Sequence, residues 1–264
     1  MRLAWCTDIH LDLVQPDQYQ AFIRQIGYQN DALLITGDIA EPKTCYEYPF
    51  ETWVKDLREK TGIPVYFVLG NHDVYYHSFD DIDKKAKWVT GYLSNGVTGG
   101  IVQLTDKVAL VGHDGWYDGG FGNPYLGFTL PEFKVVRDFI GMDLNNILRI
   151  MSRRATQAAY YLIDIIGEAF LRGNQKVVVA THVPPFKEVS LYDRKPSPEH
   201  SLPFFSSKVI GEALKSIAES WPDRELLVLC GHTHWQAQMT LGNITVKVGK
   251  AVYRCPQIAE VLVL

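Results

Sequence analysis

Apolar residues in this chain gather in short continuous runs that alternate with segments of helical spacing. The runs cover residues 3–7, 32–36, 65–69, 108–111, 177–181 and 226–230. Most are apolar at successive rather than alternate positions, as expected of central strands covered on both faces. Between them, Tyr19, Phe22, Ile23 and Ile26 fall on one helical face. Ile82, Ala86, Val89 and Leu93 do the same, after Ser78 and Asp81 spaced as a capping box. Ala155, Ala158, Ala159, Leu162, Ile166, Ala169 and Phe170 mark a longer helix, and Ile210, Ala213, Leu214, Ile217 and Trp221 another. Near the end, strands at 236–241, 244–248 and 258–264 follow one another with only turns between, Gly242-Asn243 being placed as a hairpin turn. Alternating strands and helices predict an α/β fold with helices packed on the sheet, and a later part of the sheet that is antiparallel or mixed.

A chain of 264 residues is long enough for one large core. The pattern is consistent with a single domain over 1–264, with loop insertions near 115–150 and 184–203. Residues 115–131 hold Trp116, Tyr117, Phe121, Tyr125 and Phe128 among five glycines, and 184–203 hold Pro184, Pro185, Pro196, Pro198 and Pro203. Long loops are often functional, although packing aromatics in a surface cover explain the same residues. The net charge of −4 argues against a protein that grips long nucleic acid through its phosphates. Cys6, Cys45, Cys230 and Cys255 form no CxxC pair, and Cys6 and Cys230 lie in apolar runs, as buried free thiols of a reducing compartment do. The chain opens directly into a strand, and no apolar run approaches the ~20 residues that span a bilayer. A cytoplasmic protein with no membrane contact is the expectation; nothing here speaks to self-association.

Candidate chemistry stands at the strand ends. The successive runs lead into Asp8-Ile9-His10, Gly37-Asp38, Gly70-Asn71-His72-Asp73, His182 and Gly231-His232-Thr233-His234. Taken alone, each piece is weak: Gly-Asp is usually a turn, and a lone histidine is usually a hydrogen-bonded loop residue. The conjunction is informative, because ligand sites of open α/β sheets form outside the carboxyl ends of strands. Five of the eight histidines fall in these segments. Two carboxylates, one carboxamide and four or five imidazoles exceed the needs of one tetrahedral zinc. They suit two divalent ions, and mixed N/O ligands fit Mn, Fe or Zn.

The ordered series Asp8-x-His10, Gly37-Asp38, Gly70-Asn71-His72-Asp73, His182 and Gly231-His232-x-His234 closely resembles the calcineurin-like metallophosphoesterases. The resemblance implies two β-sheets sandwiched between helices. It also implies that Asp8, His10 and His234 hold one metal, that Asn71, His182 and His232 hold the other, and that Asp38 bridges them. His72 would face the scissile phosphate without binding metal. One position departs from the pattern: where many members have Gly-Asp-x-x-Asp, this chain has Gly37-Asp38-Ile39-Ala40-Glu41.

These assignments lead to an expected mechanism. Two divalent ions, less the charges of Asp8, Asp38 and a bridging hydroxide, leave a centre of about +1 that attracts a small phosphorylated substrate. The hydroxide would attack phosphorus in line, and His72 would protonate the leaving oxygen with Asp73 orienting its ring. His113, Trp116 and Tyr117, after the run 108–111, are candidate substrate contacts. Two alternatives stand beside this one. A nuclease acting on DNA or RNA ends is disfavoured by the acidic balance. A catalytically silent metal-binding scaffold is disfavoured by the presence of every ligand and the acid histidine. The choice between monoester and diester lies in loops.

Overall fold

The computed structural model describes residues 1–27, 29–94 and 100–264. Strands β1 (Arg2–Cys6), β2 (Ala32–Thr36) and β3 (Val65–Val68) lie parallel in one sheet, and β12 (Glu260–Val263) runs antiparallel along β1. The second sheet has the order β10 (Ala237–Leu241), β11 (Ile244–Val248), β9 (Glu225–Cys230), β6 (Lys176–Ala180), β5 (Val108–Gly112) and β4 (Val102–Thr105). Its four inner strands are parallel and its two edges antiparallel. A small hairpin, β7 (Leu191–Tyr192) with β8 (Lys195–Pro196), stands apart. The expected mixed sheet is present, with the β10–β11 hairpin turning at Gly242-Asn243, but the last strand crosses to the other sheet rather than pairing with β11.

The unbroken apolar runs follow from this layering. Leu3 and Trp5 of β1, Leu34 of β2, Val178 and Ala180 of β6, and Leu227 and Leu229 of β9 point into the space between the sheets. Their neighbours Ala4, Cys6 and Ile35 face the helices over the first sheet, and Val177, Val179, Val228 and Cys230 face those over the second. Period-two alternation therefore puts every apolar position of these strands in a core. Burial of each large side chain contributes roughly 1.5–3 kcal/mol.

Helices α1 (Pro16–Gly27) and α2 (Pro49–Thr61) cover the first sheet with Phe22, Ile26, Phe50, Val54 and Leu57. The second is covered by α7 (Lys208–Ser220) and the later turns of α5 (Leu144–Leu171). The earlier turns of α5 bury Ile147, Met151 and Ala155 with Trp116, Tyr117 and Phe139 of the preceding loop. That loop carries the short α4 (Glu132–Val135), and α5 begins at the Asp143 cap, so residues 144–150 are helix. The segment 184–203 ends in α6 (Leu202–Phe205).

The Ser78–Asp81 capping box opens α3 (Phe79–Ala86) as expected, yet Val89 and Leu93 lie beyond the helix. The helix stops at Ala86, and Gly91 then redirects the chain. Its φ of +89° turns the chain back against β3, where a Cβ would collide with the Val65 carbonyl, and Leu93 N–H then bonds to Phe67 O at 3.0 Å. Cys6 and Cys230 are buried free thiols, while Cys45 and Cys255 are exposed. Among the described residues no helix is long and apolar enough to cross a membrane.

Candidate metal centre

The parallel strands of both sheets deliver their C-terminal ends to one crevice. Asp8 and His10 follow β1, Asp38 follows β2, Asn71 follows β3, His182 follows β6, and His232 and His234 follow β9. The chain must turn sharply to aim these side chains inward. Asp8, His10, Asp38, His232 and His234 all have positive φ, between 38° and 69°. Left-handed backbone costs a non-glycine residue roughly 1–2 kcal/mol, and such strain gathers at functional sites. Backbone bonds hold the turns: Asp8 N–H to Gly37 O at 3.0 Å, His10 N–H to Asp38 O at 3.1 Å, and Gly231 N–H to His182 O at 2.8 Å. Gly231 is required by close approach, because a Cβ there would overlap Thr7 Oγ1 and Asp8 Oδ2.

Two overlapping groups of candidate ligands result. In the first, the ligand atoms of Asp8, His10, Asp38 and His234 lie within 4.8 Å of one another. Asp8 is oriented by the His232 N–H, at 3.0 and 3.1 Å from its oxygens, and by the Thr7 hydroxyl at 2.6 Å. In the second, Asn71 Oδ1 lies 3.0 Å from His182 Nε2 and 2.9 Å from His232 Nδ1. Asp38 Oδ2 is 3.5 Å from His182 Nε2 and 3.8 Å from His10 Nε2, so Asp38 stands between the groups.

The donor set calls for cations. His182 Nδ1–H donates to Thr36 O at 2.8 Å and His232 Nε2–H to Phe204 O at 2.9 Å, which turns the other nitrogen of each ring toward the centre. Burial, reinforced by the charge of His182, pulls His232 down to about 4, so its Nδ1 presents a lone pair to the Asn71 oxygen. Burial also pulls His10 to about 4, and its Nε2 is buried without a hydrogen-bond partner among the described residues. For His182, burial opposes the charge, but Asp38 and Asp8 carry the ring up to about 10. Facing lone pairs, an orphaned ring nitrogen and two buried carboxylates fit divalent ions with mixed N/O ligation. To ligate a cation, His182 would give up its proton.

Around this core the structure departs from several expectations. His72 Nδ1–H donates to Glu41 Oε2 at 3.1 Å, so Glu41, not Asp73, orients the ring. Asp73 is buried and accepts backbone N–H bonds from Ile39, Ala40 and Gly70, tying the β2 and β3 turns together. His113 turns away from the crevice: its Nδ1 accepts the Gly115 N–H at 3.1 Å and its ring lies edge-on to Tyr161 of α5. It lines a separate cavity of about 320 Å³ with Asp83, Ser94 and Arg154. Trp116 packs with Phe79 and Phe139 in the core, and Tyr117 is fully buried with its ring stacked on His232 at 5.6 Å.

Two residues near the site carried no motif. Glu132 of α4 accepts the side-chain N–H of Asn71. Tyr253, half-exposed in the stretch between β11 and β12, sets its ring 4.7 Å from that of His10 and 4.9 Å from that of His234, forming the rim.

Comparison with known proteins identifies the family. Residues 1–236 match the profile of the calcineurin-like phosphoesterases. No curated protein matches the sequence. Among solved structures, the chain is similar to the phosphopantetheinyl hydrolase PptH of Mycobacterium tuberculosis, with TM-score 0.59 and 12% identity over 96% of this chain and 89% of that one. It is also similar to a dimetal phosphatase of Danio rerio, with TM-score 0.53 and 13% identity over 96% and 88%. A third likeness is to a 5'-nucleotidase of Candida albicans, with TM-score 0.51 and 13% identity over 96% of this chain and 45% of that one. At these identities the structures share the fold, while the profile match covers most of the chain. The chain therefore belongs to the calcineurin-like phosphoesterase family and is a metal-dependent phosphoester hydrolase.

Proposed function

We propose that this protein hydrolyses the phosphate ester of a small molecule with water at a centre of two divalent cations. Asp8, His10 and His234 would hold one ion, Asn71, His182 and His232 the other, and Asp38 would serve both. The observation that carries this reading is the position of Asp38 between two ligand groups whose lone pairs converge. When bound, the ions supply a hydroxide at neutral pH and counter-charge for the phosphoryl oxygens. The chain's own residues do the rest. Asp38 is fixed by the His72 N–H at 2.9 Å, and the His72 ring, with its side chain 20% exposed, stands at the edge of the crevice. Its Nε2 is 4.0 Å from Asp38 Oδ2, where it would give a proton to the leaving oxygen. Tyr75 stacks on the ring at 4.6 Å and Glu41 holds Nδ1. Tyr253 at the rim gives the leaving group an aromatic surface to rest on.

The test pairs metal analysis with turnover of p-nitrophenyl phosphate and bis-p-nitrophenyl phosphate after Mn²⁺ addition. Two equivalents bound with turnover of either ester supports the reading, and the preferred ester separates monoesterase from diesterase. Absence of metal binding in excess Mn²⁺ would refute it.

Glu41 provides a second check. Burial works against a charge on His72, but Asp38 and then Glu41 and Glu132 carry its pKa up to about 9. An acid must be protonated, so turnover is lost as pH rises through the acid's pKa in the metal-loaded enzyme. Glu41→Gln removes one anion and lowers the pKa, so the alkaline limb of kcat should move to lower pH. An unmoved limb would take Glu41 out of the acid's environment.

A further inference from the structure

A carboxamide ligand has a problem that a carboxylate lacks: only one of its two ends binds a cation. Asn71 is 3% exposed, and its amide lies between two different surroundings. On one side are His182 Nε2 and His232 Nδ1, at 3.0 and 2.9 Å from Oδ1. On the other is Glu132 Oε1, which accepts from Nδ2. If the amide turned over, its oxygen would meet a carboxyl oxygen and its N–H groups would point at the metal position. Glu132 therefore discriminates between the two orientations by hydrogen-bond chemistry, since the oxygens of an ionised carboxylate only accept.

The rest of Glu132 shows no structural return for its burial. It is 2% exposed, and Oε2 has no hydrogen-bond partner among the described residues. The hydroxyls of Tyr75 and Tyr117 are likewise buried without hydrogen-bond partners among the described residues, although their rings support His72 and His232. A buried carboxyl with one unsatisfied oxygen lowers stability rather than raising it. Among the described residues, the hydrogen bond its side chain accepts from another side chain comes from a candidate metal ligand 61 positions away.

We infer that Glu132 is the positioning residue of the second metal position, turning Asn71 Oδ1 toward the cation from a loop outside the strand-end motifs. This rests on the two-cation reading of the site. Outer contacts of this kind typically change metal affinity about 10–100-fold.

The test is calorimetric titration of metal-free protein with Mn²⁺, alongside electron paramagnetic resonance of the coupled Mn²⁺ pair. Glu132→Ala should bind one equivalent with affinity within about twofold of the unsubstituted chain and the other about 10–100-fold more weakly, losing the coupled signal at two equivalents. Its metal-free melting temperature should not fall. Glu132→Gln keeps an accepting oxygen and should recover most of the affinity. The decisive arm is Asn71→Asp, whose ligand has no wrong end: in that background Glu132→Ala should cost no metal affinity. Both equivalents bound normally by Glu132→Ala would overturn the inference, as would an equal loss in the Asn71→Asp background. Should Glu132→Ala fail to fold, Glu132→Leu and the Asn71→Asp pair decide in its place, and a collapse of every Glu132 variant in the absence of metal would make the residue structural and overturn the inference. If the unsubstituted chain itself binds fewer than two equivalents, the two-cation reading fails instead.

Discussion

Asp38→Asn is expected to leave the chain folded but unable to hold a pair of cations. Asp38 is 1% exposed, and its carboxylate is within 4.0 Å of ring nitrogens of His10, His72 and His182. Burial disfavours its charge, yet His182, His72 and His10 together hold its pKa well below the usual carboxylate value. A neutral amide gives one oxygen, no charge, and two N–H groups that point at whatever lies opposite. Because both ligand groups draw on this side chain, bound metal should fall from two equivalents to one or none. Turnover should fall by at least 10²–10³-fold, about the loss caused by removing one preorganised charge-stabilising group. Fold and site are separable here. In the metal-free chain the substitution takes from the charged His182 ring the carboxylate that holds its proton, so melting in chelator should drop somewhat at neutral pH while the transition stays cooperative. What should vanish is the rise in melting temperature on adding Mn²⁺, which ligand binding to the native state produces in the parent. Full metal with full rate in this variant would remove Asp38 from its shared position.

The centre was legible because its residues stand where physics makes sequence readable. Central strands announce themselves by unbroken apolar runs, and in a parallel arrangement each run ends at the same edge, so Asp8, Asp38, Asn71, His182 and His232 share one crevice. Proximity to a strand end was not enough for His113, Trp116 and Tyr117. β5 lies one strand further out than β6, and the Gly115 turn folds His113 toward α5 while Trp116 and Tyr117 go into the core. Helix α2 carries a readable signal in Phe50, Val54 and Leu57, whereas the close approach of Gly91 to β3, which carries the chain past α3 back to the sheet, exists only once the chain is folded. Glu132 and Tyr253 had no signal of their own. Both reach the site from segments without periodicity, and contacts such as Asn71 with Glu132 exist only once the chain is folded. The change from aspartate to Glu41 was visible, but its meaning required the distance to His72.

His72→Ala should separate proton transfer from metal binding. The residue touches the centre twice, by different atoms. Its backbone N–H donates to Asp38 Oδ1 at 2.9 Å and helps fix the shared carboxylate. Its ring is held by Glu41 and stacked on Tyr75, and among the described residues it lies edge-on to His10 at 4.9 Å. Alanine keeps the backbone bond and deletes only the ring, so Asp38 stays in place and metal content should match the parent. Turnover of an alkyl phosphate should fall by roughly 10²–10⁴-fold, the range lost with a general acid. Activated esters give the sharper comparison. A p-nitrophenolate leaves with little need of a proton, so the same variant should lose far less on p-nitrophenyl phosphate than on the alkyl ester. A proton donor predicts that difference between leaving groups; a residue that merely props up the site predicts equal losses on both. Metal lost in step with activity, or identical losses on the two esters, would place the role of His72 in binding rather than in protonating the leaving oxygen.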